Sequence, residues 1–416
     1  MACPFVLLPE IKYFYESQLV GGKKKVNKIW IWIEVDSRYL LFATRTSRGF
    51  IYGIFSVVTV IFLIDDGISP VDAGIVVTAS IVVGSLLTFF ITTHYGLGYS
   101  KFFLIIFSIL LMVGVMGIYL APQPIVKALF VIVGSLGVNP SDNTVFSSFE
   151  QPIISKIRDN QNFRNMLFSI YSFFGYIASS IGAAFLSLGL NTSIRLSIVL
   201  SGLTLISYLF IPKIQGRGKI KANPVSQKSK IIARDVSVLF SIDALGGGFV
   251  LQSLIAYWFR VRYNFSLSEL GLVFMVVDVI MAISVLLTPF IASKIGLINT
   301  MVFTHLPSNV FLILIPIIPN LYASLSFLFL RQSLSQMDVP TRQSYLNSVV
   351  EGEDRSYVVG VSNAARSTSQ GATPYISTYL ISAAAGAASF IIGGAIKIAY
   401  DLMIYQRFKK EKEHYG

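Results

Sequence analysis

Long apolar runs recur along most of the chain, each separated from the next by a few polar, glycine or proline residues. A helix needs about 20 mainly apolar residues to cross a bilayer. Runs near that length predict spans at 40–64, 70–92, 101–121, 125–147, 165–187, 193–212, 236–258, 267–291, 299–319, 321–345, 356–381 and 386–405. The pattern therefore predicts an all-α membrane protein with twelve transmembrane helices. Two stretches stand outside it. Residues 1–36 read as a tail that does not span; it contains GGKKKVNK, and the apolar run CPFVLL is too short for a signal peptide and has no basic region ahead of it. The stretch 212–230, PKIQGRGKIKANPVSQKSK, reads as a flexible basic linker.

Polar residues inside the predicted spans are ordered. At 100° per residue, Arg331, Ser335, Asp338, Arg342 and Tyr345 fall on one arc of span ten about 80° wide. Asp338 and Arg342 stand at i,i+4 with the acid first, the favourable order. Pro340 points to the other side and removes the hydrogen bond to the Gln336 carbonyl, so a kink or a water-facing carbonyl is expected. Span eleven carries a similar face of Asn363, Arg366, Gln370, Thr373 and Ser377. Such faces must meet water or each other, because lipid exposure costs too much. The other intramembrane ions are Arg45 and Arg48 in span one, Asp142 in span four, Asp243 in span seven, Asp278 in span eight, and Lys397 with Asp401 in span twelve.

The two halves repeat. ISPVDAGIV (68–76) aligns with FSLSELGLV (265–273), HYGL (94–97) with KIGL (294–297), and NPSDNT (139–144) with VPTRQS (339–344), all at offsets of about 200. In the first pair Ser69 with Asp72, and Ser266 with Glu269, read as capping boxes that satisfy the orphan N–H groups where a helix enters the membrane. Internal repeats of this kind generate alternating access in secondary transporters.

Composition agrees: 54% of the 416 residues are hydrophobic and 13% charged, against about 25% charged in soluble chains. The net charge of +12 is explained by position rather than by nucleic acid. With an even number of spans, Lys23, Lys24, Lys25, Lys28, Arg38, Lys101, Lys294, Arg407, Lys409 and most other flanking cations fall on the side of the termini. Arg260 and Arg262 alone flank the other side. By the positive-inside rule both termini are expected in the cytoplasm. The single cysteine, Cys3, excludes an intramolecular disulfide, and no His/Cys cluster has metal-ligand spacing.

Residues 37–406 resemble the major facilitator superfamily in their twelve spans, 6+6 repeat and long central loop, and SQMDVPTRQSYLNSVVEGEDRSYVVGVSNAARS (335–367) looks like helices 10 and 11 of prokaryotic permeases of the drug/efflux kind. The resemblance implies two pseudo-symmetric lobes at 37–212 and 235–406, a cytoplasmic linker at 213–234, and cytoplasmic tails at 1–36 and 407–416. It also implies that spans one, four, seven and ten line the cavity, flanked by two, five, eight and eleven. Two family patterns are absent. Thr93 and His94 in FFITTHYGLGYSK stand where the helix 2–3 loop carries Asp-Arg, and helix 5 lacks G-x-x-x-G-P, offering only Gly175, Ser179 and Gly182 as small packing residues.

The function expected is secondary active transport of a small organic solute across the cell membrane, with proton coupling open and efflux favoured over uptake. Candidate substrate or coupling residues are Arg45, Arg48, Asp142, Asp243, Asp278, Arg331, Arg366 and Gln370; candidate gating or structural residues are Asp338, Pro340 and Arg342. Arg45 and Arg48 are expected to pair across the lobes with Asp243 or Asp338, Asp278 to pair with Arg366, and Lys397 with Asp401. Glu150 reads as an interfacial anchor and His305 as a satisfied polar residue. No cofactor, metal or nucleic-acid partner is expected; the partners are solute, protons and lipid, and the chain is expected to act as a monomer. A transport-inactive sensor or scaffold shares these features. A membrane transferase would need clustered acids for metal–phosphate chemistry, and Asp65–Asp66 is the only adjacent aspartate pair.

Overall fold

The computed structural model describes residues 11–20, 23–33, 37–136, 144–155, 161–211, 225–348, 350 and 354–415. In the tail, where aromatic and β-branched residues alternate in KIWIWI, β1 (Ile11–Val20) and β2 (Lys23–Ile33) pair as an antiparallel hairpin. The sequence reading gave no strands there. The rest is helical: α1 (Ser37–Asp65), α2 (Pro70–His94), α3 (Ser100–Leu120), α4 (Pro124–Val133), α5 (Thr144–Ser155), α6 (Gln161–Phe185), α7 (Leu190–Phe210), α8 (Gln227–Gly248), α9 (Gln252–Tyr263), α10 (Leu267–Ile295), α11 (Leu297–Ile317), α12 (Leu321–Ser335), α13 (Asp338–Ser348), α14 (Arg355–Gly371), α15 (Pro374–Ser382) and α16 (Gly386–Tyr415).

These sixteen helices make twelve spans, because spans four, seven, ten and eleven are broken; the sequence reading drew them as continuous helices, with a kink or a water-facing carbonyl expected in span ten alone. Each break has a local cause. Span four stops at Gly134 and Ser135, the latter at φ 45°. Span seven breaks after the triple glycine 246–248. Span ten breaks at Gln336–Met337, four residues before Pro340 would have needed a partner carbonyl. Span eleven breaks at Ala372–Thr373, ahead of Pro374 at the first position of α15. Among the described residues nine helical stretches are long and apolar enough to cross a membrane; the other three are spans four, ten and eleven.

The repeat is visible in the architecture. Spans four and ten break at corresponding places, and the predicted caps form. Ser266 and Glu269 make a complete capping box, with Glu269 N–H donating to Ser266 Oγ at 3.2 Å and Ser266 N–H to Glu269 Oε2 at 2.8 Å. Its counterpart is half of one: Asp72 N–H donates to Ser69 Oγ at 3.2 Å, while Asp72 takes the Ser69 hydroxyl rather than the backbone N–H.

Two lobes result, one from α1–α7 and one from α8–α16. They meet along α6 against α10 and along α2 against α14 and α15, with α1 also touching α9. Small residues permit the close approaches. A Cβ on Gly53 of α1 would sit 2.1 Å from the Ser179 carbonyl oxygen of α6, and one on Gly182 would sit 2.1 Å from the Phe50 oxygen. Across the lobes, one on Gly271 of α10 would sit 2.5 Å from the Ala183 oxygen.

Candidate functional site

The broken spans carry their own repairs, which sort the polar face of span eleven. Backbone carbonyls released at the span-seven break need donors inside the membrane. Ser377 Oγ donates to the Phe249 carbonyl at 2.8 Å and Thr373 Oγ1 to the Leu245 carbonyl at 3.2 Å. A Cβ on Gly248 would lie 2.1 Å from the Gln370 carbonyl oxygen, so only glycine lets α8 come this close to α14. Thr373 and Ser377 are thus structural. Asn363 Nδ2 donates to Ser148 Oγ at 3.3 Å across the lobes. Arg366 and Gln370 remain, and both face a cavity.

Two adjoining cavities lie along this region. One, about 550 Å³, sits between the lobes and is lined by Arg45, Ser147, Gln151, Ser172 and Tyr176 from the first and by Val339, Arg342, Gln343, Leu346, Asn363 and Arg366 from the second. The other, about 640 Å³, is lined from the second lobe. Asp243, His305, Arg331, Gln332, Asp338, Arg366, Gln370 and Lys397 supply polar groups, and Val250, Ile255, Met281 and Val339 supply apolar ones. Val339 and Arg366 belong to both. Arg45 reaches the first by lying 5.0 Å over the Tyr171 ring. Gly175 leaves it room: a Cβ there would be 2.4 Å from Arg45 Nε.

In the second lobe the charges form a network. Asp243 Oδ1 accepts from Lys397 Nζ at 2.5 Å and lies 3.8 Å from His305 Nε2; its Oδ2 lies 3.9 Å from Arg366 Nη2. His305 Nδ1 meets Asp401 Oδ1 at 2.8 Å, and Asn309 Nδ2 donates to Asp401 Oδ2 at 2.9 Å. Lys397 and Asp401 therefore reach different partners on other helices rather than each other, and His305 bridges toward both carboxylates. Asp338 and Arg342 pair as their i,i+4 spacing predicts, with the Arg342 guanidinium 5.9 Å from the Phe240 ring centre. Arg331 Nη1 donates to Gln332 Oε1 at 2.9 Å, and Gln332 Oε1 also takes the Ser335 hydroxyl at 2.7 Å.

In the first lobe Arg48 is fully buried away from both cavities. Its Nη2 lies 2.6 Å from Glu150 Oε2 and its Nη1 donates to Oε1 at 3.1 Å. Glu150 also accepts from Thr44 at 3.2 Å, from Tyr208 at 2.7 Å and from Tyr171, while the Arg48 guanidinium lies 4.4 Å from the Phe146 ring centre. The expected pairing of Arg48 with Asp243 or Asp338 is absent from this arrangement, because each of those groups has a nearer partner in its own lobe. Glu150 is the residue that sequence reasoning missed as a partner. It is the sole glutamate between residues 37 and 212, and two arginines in span one called for a carboxylate.

Asp278 is also placed differently. It is fully buried at the contact of α6 and α10, where Ser179 Oγ donates to its Oδ2 at 2.5 Å. Beside it lies Gln252, whose Nε2 donates to Ser56 Oγ at 3.1 Å. No cation pairs with Asp278 among the described residues, and Arg366, the expected partner, stands by Asp243 instead. Asp142 lies outside the described residues. Pro340 sits in the first turn of α13, beside the break. Thr93 and His94 bond back to carbonyls of their own helix at Phe89 and Phe90.

The lobes also touch at both ends of the cavities. Where α1 ends and α9 ends, Arg260 Nη2 holds both oxygens of Asp65 at 3.0 Å. At the opposite end Arg355 Nη1 donates to Ser155 Oγ at 3.3 Å.

No family model matches the chain. An uncharacterized membrane protein of Saccharomyces cerevisiae is 28% identical over 186 residues, a match covering 44% of this chain and 41% of that relative's length. Among solved structures, the human organic anion transporter MFSD10 (TETRAN) superposes with a TM-score of 0.69 at 11% identity, covering 88% of this chain and 98% of its own. A bacterial homologue of the iron transporter ferroportin, in an outward-facing state, gives 0.67 at 14% identity over 89% and 99%. The nucleoside transporter NupG gives 0.61 at 12% identity over 90% and 100%. At such identities the likeness concerns the fold, and it is clear: this chain is a membrane protein whose twelve spans, all of them α-helical, form two pseudo-symmetric six-helix lobes, as in those transporters.

Proposed function

We propose that the protein is a secondary active transporter that carries a small organic solute by alternating access, its two lobes rocking about the cavities between and beside them. The observation that carries this reading is a polar, charge-lined cavity at the junction of the lobes, between contacts that close each end. Cavities in transporters of this architecture lie at the repeat interface near the bilayer midplane, among broken helices, and here all four broken spans supply lining residues to the two cavities. The far-end contact, Asp65–Arg260, is partly exposed and so worth roughly 0.2–1 kcal/mol, weak enough to open and close during a cycle.

The finer reading follows from the sequence. Lobes at 37–212 and 235–406, a linker at 213–234, both termini in the cytoplasm, the cell membrane as location, a monomeric unit and export of a drug-like solute are parts of the same proposal. Protons are the proposed coupling ion, carried by Asp278. The test of the central claim is counterflow of labelled solutes in proteoliposomes, guided by a thermal-shift screen, since a ligand that binds the folded state raises its apparent stability. A protein that is stabilised by a solute yet shows no counterflow of it would be a sensor rather than a carrier. Epitope tags at each terminus, probed in sealed vesicles, test the orientation.

A further inference from the structure

The cations and carboxylates around the larger cavity do not balance. Its lining includes Arg331, Arg366 and Lys397 against Asp243 and Asp338. Asp338 is taken by Arg342 and Asp243 by Lys397. Arg366 approaches Asp243 only to 3.9 Å, beyond hydrogen-bonding distance, and Arg331 pairs with no carboxylate among the described residues. Arg331 is 7% exposed, and the Nε of each of these two arginines is buried without a hydrogen-bond partner. A guanidinium held in the membrane interior without a matching charge is costly. A bound oxyanion would supply that charge, and the planar fork of arginine matches carboxylate and phosphate geometry.

We propose that this cavity binds a small organic anion, with Arg331 and Arg366 receiving its carboxylate or phosphate group. The apolar wall of Val250, Ile255, Met281 and Val339 takes its hydrocarbon part. This assignment rests on the transport reading and names its substrate class.

The test uses the full chain in phosphatidylcholine nanodiscs. Thermal shift and titration are read with phenylacetate, glutarate and phenyl phosphate, and with phenylacetamide and phenethylamine as neutral and cationic counterparts. At least one anion is expected to raise Tm where its counterparts do not. Arg331→Gln and Arg366→Gln are each expected to weaken it roughly 10- to 100-fold, the range for a lost charge-assisted hydrogen bond. Arg331→Lys and Arg366→Lys, which keep the charge and the fold but not the fork, should fall between. Equal shifts by the amide or the amine, no shift by any of the three anions, or anion binding unchanged in both Gln variants overturns the assignment. A shift produced only by adding phosphatidylserine to the disc assigns the arginines to a lipid headgroup and overturns the solute site. Counterflow separates the two levels: anion binding without counterflow removes the transport reading and leaves the site, whereas counterflow of the amine alone does the reverse.

Discussion

The buried charges of the first lobe and those of the second obey the same energetics and end in opposite arrangements. Around Glu150 every approach is closed. Three donors converge on Oε1 and two on Oε2, both partners of the ion pair have fully buried side chains, and aromatic rings of Phe146, Tyr171 and Tyr208 pack on it. Around Asp243 the groups come from α8, α11, α14 and α16, with distances running from 2.5 to 3.9 Å, and four of them open onto a cavity. A closed cluster fixes helices to one another. An open one keeps donors available to a ligand. The two clusters differ, then, in closure: the groups around Glu150 are spent on one another, whereas those around Asp243 border a cavity.

The largest expected effect tests the closed cluster. Glu150→Leu leaves Arg48 buried without its partner, which costs about 3–5 kcal/mol, whereas replacing both members of a buried pair by apolar residues is often neutral. Glu150→Leu should therefore lower the unfolding midpoint in detergent sharply, and Arg48→Met with Glu150→Leu should recover most of it. Equal losses in the single and double variants would mean that the hydroxyl donors, rather than the ion pair, hold the cluster together. The matching change in the open cluster is milder. Asp243→Asn keeps an oxygen for Lys397, so a loss of about 1–3 kcal/mol is expected, accompanied by a change in ligand affinity that Glu150→Leu, measured where it is still folded, should not show. A larger stability loss for Asp243→Asn than for Glu150→Leu would reverse the comparison.

This contrast was only partly legible in the sequence. Span positions and the repeat are written in apolar length and cap residues, so they could be read directly. The cavity face of span ten was legible too, because Arg331, Ser335, Asp338 and Arg342 share one helical arc, and an arc survives even where the helix breaks within it. Pairing was not legible. Lys397 and Asp401 are neighbours at i,i+4, yet their partners lie 154 and 96 residues away, and periodicity carries no information about which neighbouring helix a side chain reaches. The breaks in spans seven and eleven escaped for a related reason: carbonyls released in span seven are satisfied by the hydroxyls of Thr373 and Ser377 in span eleven, a pairing that exists only once both segments are packed.

A smaller effect on stability, with a distinct effect on function, is expected at the seam between the lobes. Asp278 sits against the neutral groups Ser179 of α6 and Gln252 of α9, and Gln252 in turn bonds Ser56 of α1. Asp278→Asn is close to isosteric and keeps an acceptor for Ser179, so the unfolding midpoint should move by no more than about 1 kcal/mol equivalent. If Asp278 carries the coupling proton, the variant should lose accumulation driven by an imposed pH step while retaining counterflow without a gradient. Accumulation that survives in Asp278→Asn would remove this residue from coupling and leave it as a lobe-to-lobe contact.

The smallest change in stability should come from the far-end contact. Asp65 and Arg260 have side chains 45% and 34% exposed, and an ion pair so open to solvent is worth roughly 0.2–1 kcal/mol and is screened by salt. Arg260→Gln should therefore unfold almost as the parent does. Its consequence should appear in access instead, since even 1 kcal/mol shifts a two-state equilibrium about fivefold. Gln370 lines the cavity, and Cys3 is the sole cysteine of the chain, so Gln370→Cys in a Cys3→Ala background reports on that cavity alone. Labelling by a membrane-impermeant thiol reagent, added from the side of Arg260, should be faster when Arg260→Gln is present. High salt should accelerate the parent toward the same rate and leave Arg260→Gln unchanged. Rates that are equal in the two backgrounds at low salt would show that packing of α1 on α9, rather than the ion pair, closes this end.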